Sequence, residues 1–342
     1  MKKIIACFLA LFCFVAVLKA QNAEKDEIIK INTTLVSVPV VVSDRQGRYV
    51  PGLKVEDFTI LQDGKKQEIG FFATEEEPLN VAVMLDTSRS TEMVLDKIKA
   101  AAKNFIQILQ PADRAMIVSF DYDIHVLSPL TSDRTTLEKA IKKVEVGETP
   151  GTVMRDAVEQ IVEKDFANVK GRKAIILLTD GKDAGSYTDK SDLLNMLEES
   201  DVMLYSVLYQ TSIEQILQRR RMGGMNRGGV FGGGMGRGRM GGNFPRGGRR
   251  DDRIRERQKE KNAEAEDYLQ QMSELTAGRF YNKNVTDLQE TFETIADELR
   301  KQYRLGFYPE SDTDKTTSHE IKVKVARQDI AVRARATYRP AQ

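Results

Sequence analysis

Three segments of this chain are unbroken apolar runs of strand length: residues 79–86 (LNVAVMLD), 173–180 (KAIILLTD) and 202–209 (VMLYSVLY). A strand that is apolar on both faces cannot lie at a surface. It belongs inside a sheet covered on both sides, which is the situation of a parallel sheet. Helical spacing of apolar residues separates the runs. Met93, Ile98, Ala101, Phe105 and Ile106 mark a helix over 91–109, and further helices are predicted over 132–143, 152–164 and 189–199. Residues 114–120 (RAMIVSF) and 123–130 (DIHVLSPL) read as two more strands. Strands alternating with helices predict an α/β fold with a doubly wound parallel sheet.

Both ends of the chain read as β instead. Residues 31–43 are rich in Val and Thr, and Asp63-Gly64 sits between two strand-like runs within 57–72, a strong hairpin signal. The tail adds 303–309, 320–326 and 330–338. Neither end has enough strands to be stable alone. They are therefore expected to meet in one small β-sandwich, with the α/β unit inserted in it. Before the tail, a charged helix is predicted over 252–276 and ended by Gly278. An edge strand follows at 278–282, and Thr286 with Gln289 forms a capping box for a helix to about 302. The expected organisation is a leader at 1–20, a β-rich segment at 21–78, an α/β domain at 79–300, and a C-terminal β segment at 301–342 that pairs with 21–78.

Residues 1–20 carry Lys2 and Lys3, an apolar run from Ile4 to Leu18, and Ala20 before the expected cut. This is the pattern of a secretory signal peptide, and the run is too short for a spanning helix. Both cysteines, Cys7 and Cys13, would leave with it. Neither sits in a well-formed lipidation box. The mature protein is expected to be exported, periplasmic or secreted, with no disulfide and no transmembrane segment.

Residues 218–250 hold 13 of the 24 glycines and nine arginines, with no acid. Such a composition predicts a disordered Arg/Gly-rich insert. The formal charge of the whole chain is +1. Setting aside the three leader lysines (Lys2, Lys3, Lys19) and the nine insert arginines leaves a body of −11. An acidic body with one cationic loop argues against a nucleic-acid partner for the fold. The loop itself could bind an acidic envelope polymer. Two histidines exclude a His-rich metal cage, and no HExxH helix exists.

Asp86-Thr87-Ser88-Arg89-Ser90 follows the first apolar strand directly, and Asp180 closes another within Thr179-Asp180-Gly181. In an open α/β sheet, ligands bind outside the carboxyl ends of the strands. Gly151-Thr152 opens the predicted helix between them and can offer a hydroxyl at the same edge. Five oxygen donors would then converge: Asp86, Ser88, Ser90, Thr152 and Asp180. Oxygen donors suit a hard cation, Mg²⁺ or else Mn²⁺ or Ca²⁺, and exclude soft ones. Neutral hydroxyl ligands leave the ion electron-poor, so an open position would attract a carboxylate from another molecule.

This arrangement resembles the von Willebrand factor A domain and its metal-ion-dependent adhesion site, over about residues 79–300. The family's D-x-S-x-S maps onto Asp86, Ser88 and Ser90, its threonine onto Thr152, and its second aspartate onto Asp180. The resemblance implies that the Ser and Thr hydroxyls touch the metal and the aspartates act largely through water. A Glu or Asp of a protein ligand completes the shell. The segments at 57–67 and 302–309 resemble an A-domain-related family typical of Acidobacteria, whose members are exported. One departure is Glu148-Thr149-Pro150, which stands where the family often has a second glycine.

Other readings compete. D-x-S-x-S can be simple N-capping, Thr152 a cap, and Asp180 a turn residue. Asp86 could instead be a phosphate-accepting nucleophile, but Ser88 stands where such sites place a second acid. No G-x-S-x-G elbow and no G-x-x-x-x-G-K-[ST] loop is present. His125 and His319 read as structural or solvated. The expectation is a binding protein for adhesion or envelope assembly, not an enzyme. A scaffold with a vestigial site and polyanion binding through the insert are the alternatives.

Overall fold

In the computed structural model, residues 35–74, 77–210, 248–310, 313–314 and 316–340 are described, without the side chains of residues 210, 248–255 and 258. The leader at 1–20, the start of the 21–78 segment and the Arg/Gly run up to residue 247 lie outside them. In chain order the strands are β1 (Val36–Asp44), β2 (Phe58–Gln62), β3 (Lys65–Gln67), β4 (Phe71–Ala73), β5 (Leu79–Asp86), β6 (Arg114–Phe120) and β7 (Ile124–Thr131). They continue as β8 (Arg172–Thr179), β9 (Val202–Gln210), β10 (Phe280–Asn284), β11 (Tyr303–Phe307), β12 (His319–Val325), β13 (Ile330–Ala334) and β14 (Thr337–Tyr338). The α-helices are α1 (Leu95–Ile108), α2 (Arg134–Lys142), α3 (Met154–Gln160), α4 (Lys190–Glu199), α5 (Gly248–Leu275) and α6 (Leu288–Arg300).

The central sheet has six strands in the order β10-β9-β8-β5-β6-β7. Every residue of β5 is buried, because alternate side chains enter two different cores. Val81, Val83 and Leu85 pack with Ile98 and Phe105 of α1 and with Phe292 and Ile295 of α6. Ala82 and Met84 pack with Val158 of α3, Leu193 of α4 and Leu269 of α5. The apolar runs thus read correctly as strands covered on both faces. The one antiparallel member is β7, which pairs with β6 across a turn too short for a crossover.

The two ends of the chain meet as expected. One four-stranded sheet has the order β13-β1-β11-β4 and the other β14-β12-β2-β3. They share a core of Val38, Val40, Phe58, Ile60, Leu305, Phe307 and Ile321. Tyr303 stands at its centre, 5.2 Å from the ring of Phe58 and 5.7 Å from that of Tyr49. Its hydroxyl donates to the Val50 carbonyl at 2.8 Å and accepts the Leu53 amide at 3.1 Å. Asp63 and Gly64 both take positive φ, +48° and +80°, and join β2 to β3 in a two-residue turn.

Three local expectations change. Thr286 forms no capping box; its hydroxyl bonds Asp287 and α6 starts at Leu288 after a 3₁₀ turn, Val285–Asp287. The helix expected over 152–164 begins at Met154 and finishes as a π-turn, Ile161–Asp165, closed by the Phe166 amide on the Ile161 carbonyl at 2.8 Å. At the end of α5 it is Ala277, at φ +59°, that takes the left-handed position. The Gly278 amide then reaches the Ser273 carbonyl at 2.8 Å. Gly278 is needed for space instead: a Cβ there would fall 1.9 Å from the Leu204 carbonyl oxygen. Ala277→Gly is therefore expected to stabilise the protein by about 0.5–1 kcal/mol, read as a higher urea midpoint. A lower midpoint would contradict this reading of the cap.

Candidate metal centre

β5 and β8 are neighbours, yet the sheet grows away from them in opposite directions, through β6 on one side and β9 on the other. Their carboxyl ends therefore frame a crevice at the topological switch point. Asp86 is the last residue of β5 and is 0% exposed. Asp180 follows β8 immediately. Oδ1 of Asp86 accepts the Ser88 amide at 2.9 Å, and Oδ2 accepts the Thr179 hydroxyl at 2.9 Å. The hydroxyls of Ser88 and Ser90 stand 3.0 Å apart. A 3₁₀ turn, Arg89–Thr91, carries Ser90, and the Thr91 hydroxyl closes it by donating to the Ser88 carbonyl at 2.8 Å.

Thr152 is buried in the loop before α3 rather than at a helix start. Its carbonyl accepts the amides of Ala184 and Gly185 at 3.2 and 3.0 Å, which ties it to the loop after Asp180. The next amide, that of Val153, goes to the Asp121 carbonyl at 2.8 Å. These ties hold residues 151–153 out of the helix. Direct hydrogen bonds link Asp86 to Ser88, and Ser88 to Ser90; Thr152 reaches the same edge through backbone.

Among the described residues the site is short of positive charge. Burial, and then the charge of Asp180, push the Asp86 carboxyl up to about 7, although Ser88 and Thr179 pull it down. Among the described residues no basic side chain pairs with Asp86. Lys182 bonds Asp180. On β9, the buried Tyr209 hydroxyl has no hydrogen-bond partner among the described residues. Burial, with the charges of Asp86 and Asp180, raises it well above the usual tyrosine value.

Several supporting residues escaped the sequence reading. Thr179 fixes Asp86 and, through its hydroxyl oxygen, accepts the Gly181 amide at 3.0 Å. Asp121 follows β6 at the same edge; its Oδ2 accepts the Thr87 hydroxyl at 3.1 Å. Gly147 donates its amide to the Thr87 carbonyl at 2.9 Å and lies so close that a Cβ would fall 2.4 Å from Asp121 Cγ. The strand-end rule that found Asp86 and Asp180 applies equally to Asp121. His125 approaches Asp121 at 3.7 Å, and His319 bonds Asp63 on the sandwich at 2.8 Å.

These residues fit a hard divalent cation. Two carboxylates converge where Asp86 is buried with no counter-charge among the described residues, and paired hydroxyls stand beside them. Among the described residues no cluster of three or more His, Cys, Asp or Glu could hold a metal. A metal site here has to draw on hydroxyl donors, which favours hard ions. Also among the described residues, no helix is long and apolar enough to cross a membrane.

No curated protein matches the chain. Among solved structures, an aerotolerance-related membrane protein from Bacteroides fragilis NCTC 9343 is 15% identical, with a TM-score of 0.43 over 65% of this chain and 99% of its own. The vWF domain of the type V pili tip protein Mfa5 from Porphyromonas gingivalis is 16% identical, with a TM-score of 0.37 over 65% and 94%. Proximal thread matrix protein 1 from the mussel byssus, with a zinc-occupied MIDAS motif, is 13% identical, with a TM-score of 0.45 over 70% and 49%. The chain thus spans about half of that protein's length. The family model of the von Willebrand factor type A domain matches residues 80–225, from the start of β5 past the end of β9. The chain therefore carries a von Willebrand factor type A domain over residues 80–225.

Proposed function

We propose that this is an exported protein that captures an acidic residue of a protein ligand through a metal ion, in adhesion or envelope assembly. Mg²⁺, or Mn²⁺ or Ca²⁺, would be held by Asp86, Ser88, Ser90, Thr152 and Asp180. When bound, the ion supplies a Lewis-acidic position open to a ligand carboxylate. Within the proposed boundaries, residues 79–300 form the binding domain, 1–20 a cleaved leader, and 301–342 a β segment paired with 21–78. The observation that carries this reading is the fully buried Asp86, pressed by Asp180 and left without a counter-charge among the described residues, beside two serine hydroxyls 3.0 Å apart.

Each residue has a definable task. Thr179 and the Ser88 amide orient the Asp86 carboxylate. Thr91 closes the turn that presents Ser90. The Asp121–Thr87 bond and the Gly147 amide hold the facing loop. Binding rather than catalysis suits this set. Ser88 occupies the place where a phosphate-transfer site needs a second acid, and its hydroxyl faces Ser90.

Titration calorimetry with Mg²⁺, followed by capture from an envelope extract with and without EDTA, tests the proposal. Heat from Mg²⁺ and EDTA-sensitive capture are expected. Capture that ignores EDTA would remove the metal from the mechanism, and the absence of heat would leave a scaffold with a vestigial site. The raised Asp86 carboxyl adds a pH signature. Below about pH 7 it holds a proton that the metal must displace, so Mg²⁺ affinity should fall about tenfold per unit from pH 7 towards pH 5. Calorimetry in buffers of different ionisation heat should register the released proton; affinity that is flat with pH would contradict this.

A further inference from the structure

The loops that carry the metal-site residues also hold large apolar side chains out in water. Met93, after the Arg89–Thr91 turn, is 52% exposed; Tyr122, in the β6–β7 turn, is 51% exposed; Tyr187, in the loop after Asp180, is 94% exposed. Single exposed apolar residues are ordinary. Here the loops leaving β5, β6 and β8 contribute one each, all at the carboxyl edge of the sheet.

Two of the three stand on fixed backbone. The Tyr122 ring lies against Gly151, where a Cβ would fall 2.8 Å from it, and Gly151 adjoins Thr152. The Tyr187 amide donates to Asp156 Oδ2 at 3.0 Å, and the Thr188 amide and hydroxyl donate to Oδ1 at 2.8 and 2.7 Å. Ser186 donates to Asp183 at 2.9 Å within the same loop. The polar side chains of this loop thus fix its backbone, while its one aromatic ring is left in solvent. A pre-positioned tyrosine loses little conformational entropy on being covered, which is why tyrosine anchors protein interfaces.

The charges on the same loops narrow the ligand. Glu92, Asp123 and Glu148 are exposed there. Among the described cations of these loops, Lys182 bonds Asp180, Arg155 pairs with Asp183 at 3.5 Å, and Arg89 bonds the Glu148 carbonyl. A ligand with one carboxylate needs only the metal position. A ligand with many would set its further charges against these acids and against apolar rings.

We infer that this face binds a protein segment presenting one carboxylate flanked by apolar or aromatic side chains. The inference rests on the metal-dependent reading above. Met93, Tyr122 and Tyr187 form the apolar rim that grips the flanking residues.

The test presents the full chain with three immobilised synthetic probes, in Mg²⁺ and in EDTA. These are a peptide with one Glu between Leu and Phe, a peptide with one Glu between Ser and Gly, and polyglutamate. Retention of the apolar-flanked peptide in Mg²⁺ is expected to exceed that of the Ser/Gly peptide roughly tenfold. Tyr187→Ser should erase most of that preference, and Tyr187→Ser with Tyr122→Ser the remainder, while the Mg²⁺ heat of Tyr187→Ser stays at the parent value. Equal retention of the two Glu peptides, an EDTA-sensitive retention of polyglutamate stronger than that of the apolar-flanked peptide, or no retention of any probe by a chain that gives Mg²⁺ heat would overturn the inference and leave the metal reading standing. A parent chain without Mg²⁺ heat would overturn both.

Discussion

Asp86→Asn is expected to lose the heat of Mg²⁺ titration entirely and yet, metal-free, to melt at a higher temperature than the parent. The asparagine can still accept the Ser88 amide and can donate to the Thr179 hydroxyl, so both hydrogen bonds survive. What disappears is a buried charge beside Asp180. With its carboxyl pushed up to about 7, the folded chain holds a proton between pH 3.8 and 7 that the unfolded chain has released. The metal-free fold is therefore most stable with respect to this group below pH 3.8, and loses that stability as pH rises to 7. At pH 8 the neutral variant should gain on the order of 2–4 kcal/mol, several degrees in Tm, and at pH 4 almost nothing. Added Mg²⁺ should raise the Tm of the parent only. A variant that still gives heat, or that melts lower than the parent at pH 8, would refute this account. In this picture the site costs the fold stability until it is loaded.

Glu298→Ala is expected to destabilise the protein by about 3–5 kcal/mol. Glu298, near the end of α6, is almost fully buried and joins three parts of the molecule. It accepts the Tyr205 hydroxyl of β9 at 2.7 Å, pairs with Arg279 at 3.1 Å, and pairs with Arg333 of β13. Arg333 also donates to the carbonyls of Ala277 and Gly278. Removing the carboxylate leaves the Arg333 guanidinium between the β-sandwich and the central sheet without its counter-charge. A urea midpoint within about 1 kcal/mol of the parent would show the network to be incidental. The double variant with Arg333→Ala should cost less than the sum of the single changes, because the two groups form one unit.

Much of the fold was legible because burial on both faces writes itself as an unbroken apolar run. The segment LNVAVMLD had to be a central strand, and it is. Asp63-Gly64 had to turn, because only such residues take positive φ twice in succession at low cost. The less legible features depend on partners distant in sequence. Ala277, not Gly278, ends α5 because the Leu204 carbonyl claims the space where a side chain at 278 would go. Thr152 lies before its helix because Asp121, Ala184 and Gly185 hold the local backbone. Gly147 escaped notice because its contact with Asp121 joins loops that no short motif spans, whereas Asp121, directly after β6, was within reach of the strand-end rule.

The sequence alone therefore determined the α/β class, the covered parallel strands, the meeting of the two β-rich ends and the run of oxygen-bearing residues at strand ends. Periodicity and turn chemistry are local, so a linear reading reaches them. Only the tertiary structure decided that β5 and β8 lie side by side at the switch point of the sheet. That adjacency sets the Asp86 carboxylate against Asp180, out of reach of water. Only the structure placed Met93, Tyr122 and Tyr187 along one edge. Charge repulsion and desolvation are properties of spacing and burial, and neither exists until the chain has folded.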